Sequence, residues 1–455
     1  MKGSFAGREE APGGPVVPLL RPVHPLRPWL IGVAFGMALI PAAVRPRMSG
    51  NVWPRYMTIE SIVERGTQAV DRSPMLRPSG TPDLARYGGR LYSDKPPVLS
   101  VLGAAVYAPL YLWGGLRFPD PRSGPRDLVA LNLVMIAAFV ATSTAWTLAW
   151  VRRLLQTTRF PVWVSDLLTL AFGAGSLLLT YGVTFNNHSV AAGLITAAFG
   201  LVILEDPALH RVGRRRAWAG CCASMAATID LPAGGVAFVV LGGWLAARAR
   251  GLPVAFLLGA VGPALLHAAA QWPISGSLRP AQLDRRALEY PGSYWTSEVG
   301  RFRETGPRWR FGLELLIGPQ GWLTITPALV FAPIGLALAS RRGPLKAAAL
   351  ATSTLVGALL VFYIWGVRVT DFAGLSFGVR HLLPVTPLAC VFAAVALDRL
   401  RGRWAGLVFA TLLAIGAVYA YEGMQDPWTR AERRDEPAMR FLQRFVLYPH
   451  TSFTR

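Results

Sequence analysis

The chain has 455 residues, of which 53% are hydrophobic and only 16% are charged, and its mean hydropathy is +0.38. This composition is too apolar for an ordinary soluble protein, so it predicts a polytopic membrane protein. The net charge of +21 does not indicate a nucleic-acid partner, because the arginines form short clusters between apolar runs, as the positive-inside rule predicts for cytoplasmic loops.

The N-terminal residues 1–27 are rich in proline, glycine and arginine, and this composition predicts a disordered cytoplasmic tail. The first apolar run, Pro28 to Val44, follows a long leader and precedes a polytopic body. We therefore expect a membrane helix rather than a signal peptide. Residues 45–127, which begin with a polar stretch from Arg45 to Pro97, are assigned to a large first extracytoplasmic loop.

An amphipathic helix is predicted early in this loop. Tyr56 and Ile59 share one helical face and Glu60 lies on the opposite face, a pattern typical of a helix on a membrane surface. Gly66 follows the pattern and is expected to end the helix.

Further along the loop, Asp94 and Lys95 stand directly before Pro96, Pro97 and an apolar run. Prolines can start a helix, so this acid and base are predicted at a helix N-terminus. A helix N-terminus and a lysine both favour negative charge, which suits a phosphate group. The alternative is a loop that begins a membrane helix, with Lys95 extending toward lipid phosphates.

The arginine clusters constrain the number of spans. With the N-terminus inside and every apolar run crossing, there are twelve spans, and five clusters between Arg152 and Arg403 lie outside. If the run from Val98 to Leu116 is interfacial or re-entrant, all five clusters are predicted on the cytoplasmic side. The alternative, in which this run crosses and a neighbouring run is split, places the same loops on the same sides. The predicted fold is an all-α polytopic helical bundle of about 11 spans with surface helices in the first loop.

This topology predicts one membrane domain, residues 28–422, with a second long extracytoplasmic loop at residues 273–321 and an extracytoplasmic tail at residues 423–455. The unusual polar segments collect on the outer face, whereas the cytoplasmic connectors are short and basic. The pattern indicates activity at the outer surface with a membrane-embedded partner.

One segment resembles a known family. Residues Tyr92-Ser93-Asp94-Lys95-Pro96-Pro97-Val98-Leu99-Ser100 resemble the lysine-proline-proline segment of GT-C membrane glycosyltransferases, which include protein O-mannosyltransferases and lipid A aminoarabinose transferases. Further short similarities follow in the same order as in the family: Arg55-Tyr56, Thr184 to His188, Asp230 to Ala233, Gln320 to Pro327 and Ser376 to Pro384. Their order and topology carry the specificity, over most of residues 28–400.

The resemblance implies a fold whose first extracytoplasmic loop covers a cavity between the spans. Such enzymes move a sugar from a polyprenyl-phosphate carrier to a hydroxyl or amine of a glycan, lipid or protein acceptor. An acidic residue of the first loop acts as base or orients the acceptor, and basic residues hold the lipid phosphate. The expected location is the cytoplasmic membrane, with membrane lipids as further partners and no cofactor beyond the lipid-linked donor.

One departure from the family concerns the base. Relatives with the best-defined chemistry carry an Asp-Glu pair just before the Arg-Tyr motif, where this chain has Asn51-Val52-Trp53-Pro54. Either another acid of the loop serves as base or the protein has lost transfer activity. The candidates for the base are Glu60, Asp71, Asp83 and Asp94. We favour Asp94 because Lys95 and the helix start fix its place, although support of Lys95 by a salt bridge is an alternative role.

The candidates for substrate and lipid-phosphate binding are basic or polar residues beside the apolar runs: Arg55, Lys95, Asn187, His188, Asp230, Arg380 and His381. Arg380 follows Gly378, which allows close approach to a ligand, but an interfacial anchor is equally compatible with its position. His188 is either a ligand or a hydrogen-bonded helix start. Asp230 lines a cavity or makes a turn, because a membrane carboxylate is costly unless it is paired or wet.

No metal site is expected, because the acids and histidines show no recognisable ligand spacing. Two functions compete with sugar transfer. A transporter or flippase fits many spans, but paired broken helices and an internal repeat are not evident. A noncatalytic relative that binds polyprenyl lipid fits the missing Asp-Glu pair.

Overall fold

A computed structural model describes residues 28–48, 51–76, 81, 83–118, 126–205, 212–280, 283–293, 296, 307–341, 345–366 and 376–428. The predicted N-terminal tail and residues 429–455 of the predicted C-terminal tail lie outside these ranges. The elements up to the first long helix are α1 (Pro28–Val44), α2 (Trp53–Arg65), β1 (Leu84–Tyr87), β2 (Arg90–Ser93), α3 (Pro97–Leu112), α4 (Arg126–Met135) and α5 (Thr142–Leu155).

The middle of the chain contributes α6 (Val162–Ala174), α7 (Leu177–Gly182), α8 (Asn187–Ile203), α9 (Val212–Ile229), α10 (Leu231–Ala249) and α11 (Val254–Ser275). The last part contributes α12 (Arg285–Leu288), α13 (Arg308–Ile317), α14 (Trp322–Ile325), α15 (Phe331–Arg341), α16 (Lys346–Val361), α17 (Thr386–Leu400) and α18 (Arg403–Gln425). Short helical turns join several of these helices: Pro74–Leu76, Ile136–Ala141, Pro327–Val330, Phe362–Gly366 and Arg380–Val385.

Six helices in the described ranges are long and apolar enough to cross a membrane, and they are Asp127–Leu155, Leu231–Ala249, Val254–Ser275, Lys346–Gly366, Arg380–Leu400 and Arg403–Gln425. A bent pair, Arg308–Ile325 with Pro327–Arg341, turns by 114° and makes a seventh if it is one span. Shorter apolar helices are Pro28–Val44, Pro97–Leu112, Val162–Ala174 and Asn187–Ile203. The molecule is a helical multi-pass membrane protein, and the count of about 11 spans stays a prediction.

The helix predicted before Gly66 is present as α2, and its end is confirmed. Gly66 adopts a left-handed conformation with φ 66°, and its N–H donates to the Ile62 carbonyl. The prediction that Glu60 lies on an exposed face is wrong, because Glu60 is only 1% exposed and pairs with Arg65. The first turns of α2 are covered on both faces, because the helix packs against α3 and β2.

A β-hairpin stands within the first loop, where the sequence did not predict strands. Strands β1 and β2 are antiparallel, with Tyr87 opposite Arg90, and Gly88 and Gly89 form the two-residue turn at φ 54° and 79°. Two positive φ values are what a type I′ turn requires. The hairpin places Asp83 before β1 and Asp94 after β2, so their backbones meet: the Asp94 N–H donates to the Asp83 carbonyl at 3.2 Å.

The helix start predicted after Lys95 is confirmed. Pro96 is the residue that caps α3, and Pro97 is its first residue. Helix α3 packs against α2, where a Cβ on Gly103 would lie 2.5 Å from the Cδ1 atom of Ile59. The small residue therefore lets α2 approach α3, which fixes the acid and base at the end of a packed helix.

Helices α9 and α11 approach each other through glycines. A Cβ on Gly220 would lie 1.9 Å from the carbonyl oxygen of Phe256, and one on Gly259 would lie 1.8 Å from that of Ala217. Small residues set such distances in membrane bundles. Helix α9 also packs against α8 and α10. The close contact of α9 with α11 therefore helps to position α8 and α10, whose N-terminal ends carry polar residues.

Candidate functional site

Polar residues from five parts of the chain meet at one end of the bundle. Arg55 belongs to α2, Lys95 precedes α3, and His188 lies in the first turn of α8. Asp230 precedes α10, and Arg380 begins the turn before α17. The charges of Asp94, Asp83, Arg380 and Asp230 all act on Arg55, which shows that these segments converge.

A hydrogen-bonded chain links α2 to α8 and α10. Arg55 Nη2 donates to Asn187 Oδ1 at 2.7 Å, and Asn187 Nδ2 donates to Asp230 Oδ2 at 3.2 Å. His188 Nδ1 lies 2.6 Å from the same Asp230 oxygen. Arg55 and Asp230 are 2% and 3% exposed, so the carboxylate is the buried and paired one that an apolar environment requires.

The N-cap of α8 fixes the positions of Asn187 and His188. Asn186 caps the helix: its Oδ1 accepts from the Ser189 N–H at 2.8 Å, and its Nδ2 donates to the Tyr181 and Thr184 carbonyls at 2.8 Å each. Asparagine is a favoured N-cap because it satisfies the free N–H groups of the first turn. Asn186 is thus structural, and Asn187 and His188 follow it as the first residues facing the site.

Lys95 is held between two carboxylates. Its Nζ lies 3.0 Å from Asp83 Oδ2 and 3.1 Å from Asp94 Oδ1. Burial raises the pKa of Asp94 to about 6, and Lys95 opposes this rise whereas Asp83 adds to it. Burial also lowers the pKa of Arg55 to about 10, against the opposing fields of Asp94 and Asp83. The four groups form one buried set of mutually interacting charges.

The guanidinium of Arg380 is the least satisfied group of the site. It lies over the Trp428 ring at 5.5 Å, and its Nε and Nη1 atoms are buried with no hydrogen-bond partner among the described residues. Arg55 Nε and the Tyr363 hydroxyl are also buried with no hydrogen-bond partner among the described residues. Such groups call for a ligand or water, because a buried polar atom left unpaired is costly.

The two histidines stand side by side. The His381 ring is stacked on Tyr363 at 5.3 Å and meets the His188 ring edge-on at 5.1 Å. The loop before them is supported by Gln320, whose Oε1 accepts from the Gly378 N–H at 2.6 Å. Gly378 has φ 71°, so its lack of a side chain is required there.

Two of the predicted carboxylates lie apart from this set. Asp71 accepts from the Leu91 N–H at 2.6 Å and lies 3.4 Å from Arg90 Nε, so it supports the hairpin. Glu60 is occupied by Arg65 and by the Ser61 hydroxyl, at 3.3 Å from the latter. Of the four predicted base candidates, the structure therefore brings Asp83 and Asp94 together at the site. It also brings there every residue predicted to bind substrate or phosphate. The chemical roles of all these residues stay predictions.

Sequence reasoning missed Tyr363 and Trp428. Tyr363 lies within an apolar run, and Trp428 lies beyond the last predicted span, so neither carried a polar signal. Trp428 is brought back because the Pro427 carbonyl accepts from the Phe377 N–H at 2.9 Å. No cluster of three or more histidine, cysteine or acidic residues suited to a metal ion occurs in the described part of the chain.

Comparison with known proteins gives a fold relationship. No family model matches the sequence, and no curated protein matches it. The crystal structure of ArnT from Cupriavidus metallidurans bound to undecaprenyl phosphate aligns with a TM-score of 0.50 and 16% identity, over 87% of this chain and 74% of that one. The oligosaccharyltransferase of Archaeoglobus fulgidus in the apo form aligns with a TM-score of 0.51 and 13% identity, over 93% and 60%. Both are GT-C glycosyltransferases, and the chain shares their fold.

Proposed function

We propose that this chain is an integral-membrane glycosyltransferase that moves a sugar from a polyprenyl-phosphate carrier to a cell-envelope acceptor on the extracytoplasmic face. The observation that carries the proposal is the set of buried, unpaired donors on Arg380, Arg55 and Tyr363 beside Lys95. A sugar leaves phosphate only when hydrogen-bond donors or cations stabilise the leaving oxygens. The described site offers such groups at the end of a helical membrane bundle.

The roles divide by charge. Arg380, Arg55 and Lys95 bind the phosphate, while Asp83 and Asp94 hold Lys95 in position through their ion pairs of 3.0 and 3.1 Å. Arginine suits this task because its planar nitrogens contact two phosphate oxygens together. Within the proposal, His381 lies next to Arg380 and borders the same phosphate.

The charge balance also fits a phosphodiester donor. The cations Arg55, Lys95 and Arg380 are matched by Asp83, Asp94 and Asp230, so this set is close to neutral when all six are charged. A lipid-linked sugar brings one negative charge, which costs less to desolvate than the two of a phosphate monoester.

The fold relationship supports a polyprenyl lipid as partner. The ArnT structure contains undecaprenyl phosphate. The present chain has the same fold, with basic residues at the end of the bundle that faces the first loop. We extend this partner to the present chain.

The extracytoplasmic location rests on the two ends of α8. Its N-terminus carries the site, and 17 residues later its C-terminus meets a basic cluster, where Arg215 Nη1 donates to the Leu204 carbonyl at 2.5 Å. A helix of this length spans about 25 Å. Positive residues favour the cytoplasmic side, so the site faces outward in the cytoplasmic membrane, with the N-terminus of the chain inside.

A second candidate function is noncatalytic binding of a polyprenyl lipid. Asn51 occupies the region where relatives carry an acidic pair, and its backbone carbonyl accepts from Arg55 Nη1. The residue therefore has an amide side chain and not a carboxylate at this position. Lipid binding without turnover is the behaviour that this candidate predicts.

The proposal is tested with Lys95→Ala and Arg380→Ala variants in the purified full-length protein. Each is expected to weaken binding of undecaprenyl phosphate by about 10- to 100-fold, because a hydrogen bond to a charged group contributes about 1.5–3 kcal/mol. Arg285→Ala is the matched control, since Arg285 has a side chain that is 66% exposed on α12 and pairs with Glu289.

The same variants are then expressed in a strain that lacks the gene, and envelope glycans are measured by mass spectrometry. The wild type and Arg285→Ala are expected to restore a sugar modification that Lys95→Ala and Arg380→Ala do not restore. Lipid binding with no glycan change supports the noncatalytic candidate. Export of a lipid or solute without covalent transfer supports a transporter instead.

A further inference from the structure

We infer that His188, oriented by Asp230, is the group that takes the proton from the acceptor during sugar transfer. This inference rests on the proposed transferase function and adds the identity of the base. The family pattern would place an acidic pair ahead of Arg55, where this chain has none, so the base must come from another part of the pocket. His188 belongs to α8 and not to the first loop.

The geometry around His188 is that of a carboxylate-held imidazole. Nδ1 lies 2.6 Å from Asp230 Oδ2, which fixes the ring and the proton on that nitrogen. None of the hydrogen bonds described for His188 uses Nε2, which is on the opposite edge of the ring. The residue as a whole is 7% exposed.

Asp94 is less suited to take the proton. Its two carboxylate oxygens lie 3.1 and 3.4 Å from Lys95 Nζ, so both already serve an ammonium. His381 has cations as its neighbours, because Arg380 is adjacent in the chain and Lys95 acts on it as well. Of the two histidines, only His188 has a carboxylate within hydrogen-bond distance in the described structure.

Asp230 is a positioning residue in this arrangement. Its charge stabilises the imidazolium that forms when His188 accepts a proton, as the aspartate of a serine-hydrolase triad does. Asn187 Nδ2 donates to the same oxygen at 3.2 Å, and Asn187 Oδ1 accepts from Arg55 Nη2 at 2.7 Å. The phosphate-binding arginine and the base are therefore joined by one hydrogen-bonded path.

The reaction step balances without a further reactant. The acceptor hydroxyl gives its proton to His188 Nε2 as its oxygen forms a bond to the anomeric carbon of the sugar. The bond from that carbon to the phosphate oxygen breaks, and its electron pair leaves with the polyprenyl phosphate toward Arg380 and Lys95. The imidazolium beside Asp230 then releases the proton to the outer solution.

The test compares His188→Gln and Asp230→Asn with His267→Gln as control. His267 lies on α11 and its Nε2 contacts the Leu278 carbonyl at 3.1 Å, away from the pocket. Two quantities are measured for each variant: binding of undecaprenyl phosphate to the purified protein, and the initial rate at which membranes of the complemented strain form the gene-dependent glycan.

We expect His188→Gln to bind the lipid within threefold of wild type and to lose at least 100-fold in rate, since a general base contributes about 10²–10⁴. Asp230→Asn is isosteric, so it is expected to keep lipid binding and lose about 10- to 100-fold in rate. The double variant is expected to be no slower than His188→Gln alone, because the two residues act as one unit. A purely structural Asp230 would give additive losses.

Each other outcome contradicts the inference in a recognisable way. If His188→Gln transfers sugar within threefold of wild type, His188 is not the base, while the transferase proposal stands. If His188→Gln loses lipid binding, the residue is a ligand contact and the inference is overturned. If wild type neither binds the lipid nor changes the envelope glycans, the proposed function fails and the base fails with it.

Discussion

At the scale of single residues, the site is marked by polar atoms that the protein itself leaves unused. Arg380 buries two guanidinium nitrogens without a protein partner. Each such group costs about 1–3 kcal/mol when nothing satisfies it. A structural arginine has partners, as Arg216 has both carboxylate oxygens of Glu205, at 3.0 and 2.7 Å. Under the proposed function, this contrast reflects a phosphate-binding role for Arg380.

The raised pKa of Asp94 predicts pH-dependent lipid binding. With a pKa of about 6, Asp94 is mostly ionised at pH 7.5 and mostly protonated at pH 5.5. Protonation removes one negative charge beside the proposed phosphate site, so undecaprenyl phosphate is expected to bind about three- to tenfold more tightly at pH 5.5. Titration of binding by fluorescence or calorimetry measures this change.

Asp94→Asn is the control for this prediction, because it keeps the shape of the side chain and does not titrate. Its affinity is expected to change much less over the same range, and the remaining change reports the phosphate of the lipid, which itself titrates near pH 6. An equal pH dependence in both proteins would show that Asp94 does not act on the ligand.

The residues of the site differ in how visible they are in the sequence. Lys95 and Arg380 were predictable because charged groups next to apolar runs stand out. Tyr363 was not, because its hydroxyl is one polar atom in an apolar run, and only the stacking on His381 at 5.3 Å reveals its place. Glu60 was misread, since an acid opposite an apolar face looks exposed until a second layer covers it.

At the scale of elements, the helices are predictable from apolar runs, whereas the hairpin is not. Gly88 and Gly89 between two short strands are a recognised turn signal, but the strands have only four residues each and lie in a segment rich in charge and proline. The hairpin matters because it carries Asp83 to Asp94. Pairing of β1 with β2 therefore decides which carboxylates reach Lys95.

The close contact of α9 and α11 yields a prediction about stability. Gly259→Val places two methyl groups where a Cβ already lies 1.8 Å from the Ala217 carbonyl oxygen. The helices must separate, and we expect a loss of about 1–3 kcal/mol in the free energy of unfolding. Thermal unfolding in detergent, followed by loss of monodisperse protein, measures this loss.

Gly262→Val is the matched control on the same helix. A Cβ at Gly262 meets nothing within 4 Å, so this substitution changes helix propensity equally but does not disturb the contact. Equal destabilisation by the two variants would mean that propensity, and not packing, is responsible.

At the scale of the whole molecule, the two ends of α8 predict which surfaces face which compartment. Arg285 lies on α12, which packs on β1, and Arg86 lies 5.9 Å from the Tyr290 ring beside it. Arg214 is exposed at the start of α9, next to the basic cluster. We expect a cysteine at position 285 to face outward and one at position 214 to face the cytoplasm.

The measurement uses Arg285→Cys and Arg214→Cys in a background without Cys221, Cys222 and Cys390. A membrane-impermeant maleimide is expected to label Arg285→Cys in intact spheroplasts and Arg214→Cys only after permeabilisation. The reverse pattern would mean that the protein has the opposite orientation in the membrane and that the site faces the cytoplasm. Equal labelling of both would mean that one of the two segments is not where the charge rule puts it.

The global architecture was largely contained in the order of the apolar runs and the placement of the arginines. The number of crossings was less accessible, because the helices Pro97–Leu112 and Asn187–Ile203 are apolar but short. The convergence of Arg55, Lys95, His188 and Arg380 depends on tertiary packing between segments more than 300 residues apart in sequence. No local sequence pattern predicts that these four residues come together.

The contact between Trp428 and Arg380 has a consequence for biosynthesis. This ring, which lies against Arg380 and Tyr181, belongs to the residues that follow α18, while Arg55 emerges from the ribosome near the beginning of the chain. The contact therefore forms only when the last helix has been inserted and its end has folded back. A partly translated chain already carries the cationic groups but lacks this ring, so under the proposed function the complete lipid site exists only after synthesis has passed residue 428.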